Sequence, residues 1–192
     1  THDRRQRQMC IRDRVDSQDD DDNKLLREID GLDTIEVDGK TFVLVGGGSS
    51  KGGVSVYEMS SSGELKLRDA ESDDSTLHLD EVRSLVTAEA DGNAYVVAAG
   101  YDDDGLSVFQ IGSDGTLKNT FNIEDGASPN IFGEDLELNG VRAMTTAEVG
   151  GTAYIYAGGS KDDGISVFSL NDDGTLTHVH DYEDGGVHNL DN

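Results

Sequence analysis

Two stretches of this chain are copies of one another. Residues 87–117, TAEADGNAYVVAAGYDDDGLSVFQIGSDGTL, and 146–176, TAEVGGTAYIYAGGSKDDGISVFSLNDDGTL, align without a gap at a shift of 59 residues, with 18 of 31 positions identical. A third, more diverged copy, TIEVDGKTFVLVGGGSSKGGVSVYEMSSSGEL, spans residues 34–65 and carries one extra residue in its glycine-rich turn. A period of 52 to 59 residues means a chain built from equal supersecondary units, each burying its faces on its neighbours.

Within each copy the apolar residues alternate with period two, the signature of strands rather than helices. In the middle copy, residues 83–90 and 94–99 are two strands joined by the turn Asp91-Gly92, and residues 102–105 form an acidic loop. Residues 106–111 and 116–123 are two further strands joined by Ser113-Asp114-Gly115. Asp-Gly between alternating runs is a strong hairpin signal, because the tight turn needs positive φ. Four antiparallel strands in about 50 residues make one β-propeller blade. Six of the eleven Phe and Tyr residues fall in two columns of the repeat: Phe42, Tyr95 and Tyr154, then Tyr57, Phe109 and Phe168. An aromatic stripe in register is core packing between blades. The expected fold is therefore all-β: an open, partial propeller of three blades over residues 26–78, 79–137 and 138–189.

The two ends read differently. Residues 4–14, RRQRQMCIRDR, are strongly basic on an acidic chain, and their codons resemble a transposon adapter used in sequencing libraries, so residues 1–14 are expected to be foreign and disordered. Cys10, the one cysteine, lies within them, so no disulfide or thiol chemistry is expected of the rest. Residues 15–25, with VDSQDDDD, resemble the acidic tail of a preceding blade, and residues 190–192 resemble the opening of another. The expectation is a fragment of a longer chain, whose signal peptide would lie upstream.

Charge narrows the function. The chain carries 15 Lys and Arg against 40 Asp and Glu, net −25, and residues 15–192 alone carry 10 against 38, net −28. Nucleic acid and anionic membrane surfaces are thereby excluded as electrostatic partners. Leu, Ile, Val and Phe still make up 45 of the 192 residues, enough for a folded core. No apolar run is long enough to span a bilayer.

The blades resemble those of the lactonase-like (YVTN-type) β-propellers, whose elements stand here as AYVVAAGYDDDGLSVFQIGSDGTL and AYIYAGGSKDDGISVFSLNDDGTL. A still closer likeness is to arrays of acidic blades in large, calcium-rich secreted bacterial proteins. The resemblance implies a seven-bladed ring or a longer array, and it includes enzymes that open a sugar lactone. No lactonase motif maps onto this chain, because the candidate residues recur in every blade, and repetition argues for architecture.

Two sets of site residues are expected. In a propeller the loop between second and third strands shares a rim with the connections between blades, which places Asp102, Asp103, Asp104, Asp162 and Asp163 beside the acidic linker 124–135. Such carboxylates are hard oxygen donors suited to calcium, although Asp-Asp-Gly is equally good turn chemistry and no EF-hand spacing is present. The pairs Thr34 and Glu36, Thr87 and Glu89, and Thr146 and Glu148 recur on first strands, facing the channel or fixing one blade to the next. His178 and His180, two apart on an outermost strand, share a face by period two and read as exposed edge residues without a third zinc ligand.

Three functions of different class follow. One is a structural or binding module of a large acidic secreted or cell-surface bacterial protein, with calcium as its candidate cofactor and neighbouring blades as its partners. The others are part of a 6-phosphogluconolactonase-like sugar-lactone hydrolase, and an acidic rim that binds a cation or a basic protein.

Overall fold

The computed structural model describes residues 28–48, 52–126 and 136–184. The expectations for residues 4–14, 15–25 and 190–192, and for most of the 124–135 linker, lie outside them. The described residues form twelve strands and no helix, so none is long and apolar enough to cross a membrane. Blade 1 comprises β1 (Ile29–Val37), β2 (Lys40–Gly47), β3 (Gly53–Met59) and β4 (Leu65–Ser72). Blade 2 comprises β5 (Val82–Ala90), β6 (Asn93–Gly100), β7 (Gly105–Ile111) and β8 (Leu117–Glu124). Blade 3 comprises β9 (Val141–Val149), β10 (Thr152–Gly159), β11 (Gly164–Leu170) and β12 (Leu176–Glu183). Each is a four-stranded antiparallel meander in chain order.

The sheets stack like a partly opened fan. The first strands β1, β5 and β9 lie side by side along the inner edge, whereas β4 and β8 barely approach. The tight turns into each second strand obey the backbone rule: Asp38-Gly39 and Asp91-Gly92 have φ of 51°/74° and 46°/74°. These turns and those from third to fourth strand make the upper rim. The loops from second to third strand and the blade connectors make the lower rim.

Alternation divides each sheet into a leading face, toward the preceding blade, and a trailing face, toward the next. Blade 1 presents Phe42, Leu44, Val54 and Val56 to the leading residues Ala94, Val96, Ala98 and Phe109 of blade 2, closing one core. Blade 2 presents Tyr95, Val97, Leu106 and Val108 to Ile155, Ala157, Phe168 and Leu170 of blade 3, closing a second. Connector leucines plug both seams, Leu77 and Leu79 in the first and Leu136 and Leu138 in the second. Phe42, Tyr95, Phe109 and Phe168 lie in these cores, whereas Tyr57, on the leading face of blade 1, is buried outside both and Tyr154, on the trailing face of blade 3, is only half-buried.

Each sheet carries two β-bulges at repeat-equivalent places. One displaces Asp30, Arg83 and Arg142 near the start of the first strand. The other displaces Arg68, Thr120 and Val179 in the fourth. The second bulge corrects the reading of the histidines. With Val179 displaced, His178 pairs with Phe168 and His180 with Val167, neighbours on opposite faces of β11. His178 is no exposed edge residue: its side chain is 8% exposed, its Nε2 lies 2.8 Å from Asp181 Oδ2, and its ring sits 5.7 Å from that of Phe168.

Candidate functional site

The lower rim gathers most of the titratable groups that depart from ordinary behaviour, and it is built from backbone demands. Asp104 and Asp163 occupy the left-handed region at φ of 51° and 55°, which Asp tolerates better than most residues. Their neighbours face the connectors. Asp103 Oδ2 accepts the Asp80 N–H (2.8 Å), and, one repeat later, Asp162 Oδ2 accepts the Asn139 N–H (2.8 Å). Asp104 Oδ1 accepts the Gly140 N–H (2.6 Å) and lies 3.3 Å from Lys161 Nζ. The expected rim carboxylates are therefore brought to one rim, where three of the five accept backbone N–H groups of the connectors. Among the described residues no group of three or more His, Cys, Asp or Glu side chains is arranged to hold a metal ion. No chemistry is derived through calcium here.

A buried serine in each SV[FY] strand makes the next contact. Ser107 Oγ accepts the His78 N–H (2.8 Å), and Ser166 Oγ accepts the Glu137 N–H (2.8 Å) while donating to Asp181 Oδ1 (2.6 Å). The side chains at these connector positions differ. His78 approaches Glu124, with Nδ1 3.8 Å from Oε2. Its counterpart Glu137, 6% exposed, packs over Gly164, where any Cβ would collide with its carboxyl. Burial, then the charges of Glu183 and Asp162, a hydrogen bond to Glu183 and the charge of Asp181 raise its pKa from 4.5 to about 7. Burial also raises Asp73, Asp80 and Asp125, helped by Asp103 in the first two cases and by Asp162 in the third. Ser107, Ser166 and Glu137 are sites that sequence reasoning missed. The available signal was a polar residue recurring inside an apolar third strand.

The first-strand threonines work between blades. The Thr87 N–H and Oγ1 both donate to Asp33 Oδ2 (2.8 and 2.9 Å), and Thr87 Oγ1 also reaches the Thr34 carbonyl (3.3 Å). Thr146 Oγ1 repeats this toward the Thr87 carbonyl (3.4 Å). Their glutamate partners stay in solvent: Glu36, Glu89 and Glu148 are exposed. Glu89, Thr146 and Glu148 line a recess of about 210 Å³ on the upper side with Ala88, Ala147 and Ala153.

At the inner edge of the lower rim the copies stop being equivalent. The first-strand bulge re-aims Asp30 in blade 1 but Arg83 and Arg142 in blades 2 and 3. Arg83 pairs with Glu81 (2.6 Å) and its guanidinium stacks 4.2 Å from the Tyr101 ring, which also has Lys161 Nζ 4.8 Å away. Two arginines and a lysine thus stand at one mouth of a strongly acidic chain.

No family model matches the chain, and no curated protein matches it. Solved structures do. A periplasmic gluconolactonase from Pseudomonas aeruginosa superposes with a TM-score of 0.57 at 18% identity, covering 82% of this chain and 43% of that one. A Bacteroides uniformis protein described as a 6-phosphogluconolactonase gives 0.55 at 21% identity, covering 78% and 41%. A GH43_1 enzyme from Xanthomonas citri gives 0.52 at 10% identity, covering 83% and 56%. This chain spans about two fifths of the length of the two lactonase-type neighbours. At these identities the likeness is one of fold: three stacked four-stranded blades, part of a β-propeller architecture that lactonases and glycoside hydrolases also use.

Proposed function

We propose that these three blades are a non-enzymatic structural or binding module within a propeller of a large, acidic, secreted bacterial protein. One observation carries the reading. At both seams the rim aspartates Asp103 and Asp162 and the serines Ser107 and Ser166 bind the backbone of the blade connector, and the threonines Thr87 and Thr146 bind the first strand of the preceding blade. Groups committed to the same architectural bonds at both seams are not a catalytic constellation, which needs a base, an oxyanion donor and a pocket set apart from the rest.

Calcium dependence and a basic partner at the acidic rim are finer forms of the same reading, and one titration separates them from charge screening. Melting the protein in millimolar CaCl2 and in NaCl of equal ionic strength gives equal shifts if ions only screen the net charge of −25. A larger rise with calcium supports bound ions.

A second reading, part of a sugar-lactone hydrolase, is favoured by the lactonase-type neighbours and by Arg83 and Arg142 at the inner mouth, where the repeat is broken. Hydrolysis of gluconolactone, followed by proton release, separates the two readings. The module predicts the buffer rate, whereas turnover that falls at least tenfold in Arg83→Ala would replace it with the hydrolase.

A further inference from the structure

We propose that the trailing face of blade 3 is a self-association surface, on which a second copy of this chain packs with its own trailing face to close a symmetric dimer. Strand pairing puts Ala147 and Val149 of β9, Tyr154 and Tyr156 of β10, Ile165 of β11 and Tyr182 of β12 on this one face. Of the seven exposed large hydrophobic residues among the described positions, Val149, Ile165 and Tyr182 are here. Ile165 is 40% exposed where Leu106, its repeat counterpart in the middle blade, is fully buried. Val167 at the centre is covered, standing in register between Tyr156 and His180, and the His180 ring meets that of Tyr182 edge-on at 4.7 Å. An apolar patch walled by tyrosines has the composition of an interface core.

Charge selects the occupant. The chain carries a net −25, yet among the described residues strand register places no Asp, Glu, Lys or Arg on this face from Ala143 to Tyr182. Glu148 pairs with Ala153, Asp181 with Ser166 and Glu183 with Gly164, all on the leading side, and the remaining aspartates of blade 3 stand in turns at the rims. Two copies of so acidic a chain meet at least cost where both are uncharged. The opposite end of the stack offers no equivalent surface, because Val45, Ser55 and Tyr57 at the centre of the leading face of blade 1 are buried. With one open face per molecule, the contact is isologous and stops at two copies. Two sheets packed by like faces, about 10 Å apart, make the aligned arrangement of a β-sandwich. Strands of seven to nine residues spaced about 4.8 Å apart give a face of about 19 by 25 Å, so a dimer buries about 1,000 Å² in total, at the lower edge of specific interfaces. The dimer is accordingly weak, and the net charge of −25 on each copy loosens it further at low ionic strength.

The experiment is sedimentation velocity of the full chain through the micromolar range, under reducing conditions that silence Cys10. A reversible monomer–dimer equilibrium that strengthens with NaCl, with nothing larger than a dimer, is expected. Val149→Asp and Ile165→Asp each bury a carboxylate in the contact and are expected to weaken dimerisation at least about tenfold. Both positions are exposed, so each variant keeps the wild-type circular dichroism spectrum. Leu32→Asp, which pairs with Val45 on the leading side of blade 1, is expected to leave the dimer unchanged. A wild-type monomer at every concentration and salt would overturn the proposal and assign the face to a partner of another sequence. Dimers that survive both trailing-face substitutions, dimers lost in Leu32→Asp, or growth beyond two copies would overturn it equally.

Discussion

The two seams of this molecule are made from the same repeat and closed by different chemistry. At the seam between blades 1 and 2, His78 in the connector faces Glu124 at the end of the fourth strand. At the seam between blades 2 and 3, Glu137 faces Glu183, with Asp162 and Asp181 close by. The backbone does not register the exchange: Ser107 and Ser166 hold the two connector N–H groups at the same 2.8 Å. The repeat therefore fixes where a side chain is buried, while its identity sets the chemistry there, and at the second seam that chemistry raises the pKa of Glu137. The apolar side teaches the complementary lesson. Leu106 and Ile165 occupy the same place in the repeat, yet one is buried and the other 40% exposed, since burial here is conferred by the neighbouring sheet.

The largest effect should separate these two apolar positions. Leu106→Ala removes contacts from a closed seam and is expected to cost about 3 to 4 kcal/mol in urea unfolding, while Ile165→Ala costs less than about 1 kcal/mol. Equal losses would break the comparison. Next comes pH. The folded-state pKa of Glu137 is raised from 4.5 to about 7, so between these values the native protein holds a proton that the unfolded chain has released. Its contribution is present below about pH 4.5 and is lost as pH rises through about 7, on the order of 2 to 3 kcal/mol. Glu137→Gln should flatten that part of the stability profile and raise the melting temperature at pH 8.

Smaller still is the serine pair. Ser166→Ala leaves a buried N–H without its acceptor and deprives Asp181 of a donor, costing about 2 kcal/mol. Ser107→Ala costs about 1 kcal/mol, because Ser107 has only the connector N–H to satisfy in the equivalent network. Both are read from denaturant midpoints. The smallest contrast is Tyr95→Phe, which loses a bond to the Asp172 carbonyl and about 1 kcal/mol, against Tyr154→Phe, whose melting should match that of wild type at concentrations where the chain is monomeric.

The blade was legible because its determinants are local. Period-two alternation marked residues 106–111 as the third strand of blade 2, observed as Gly105–Ile111, and Asp91-Gly92 marked the turn by its φ requirement. The bulges were not legible, since an extra residue in one strand is decided by pairing with its neighbour. That single omission placed His178 and His180 on one face and concealed Arg83 and Arg142 at the inner mouth. Asp103 and Asp162 were named from the repeat as rim residues, but their bonding to connector amides depends on a chain segment more than twenty residues away. Glu137 escaped for a related reason: its burial is imposed by the sheet packed around it and leaves no trace in its own sequence neighbours.

The meander order of the sheets bears on how the chain acquires its structure. No described strand pairs outside its own blade, so the hydrogen bonds of a sheet can all be completed from 43 or 44 consecutive residues. Such short loops close cheaply and favour rapid formation of each unit as it leaves the ribosome. The seams must wait for the next unit, so at every stage of synthesis the newest blade shows the apolar face that its successor will cover. Assembly is thus vectorial, and the trailing face is the surface most in need of protection by chaperones until the following repeat arrives.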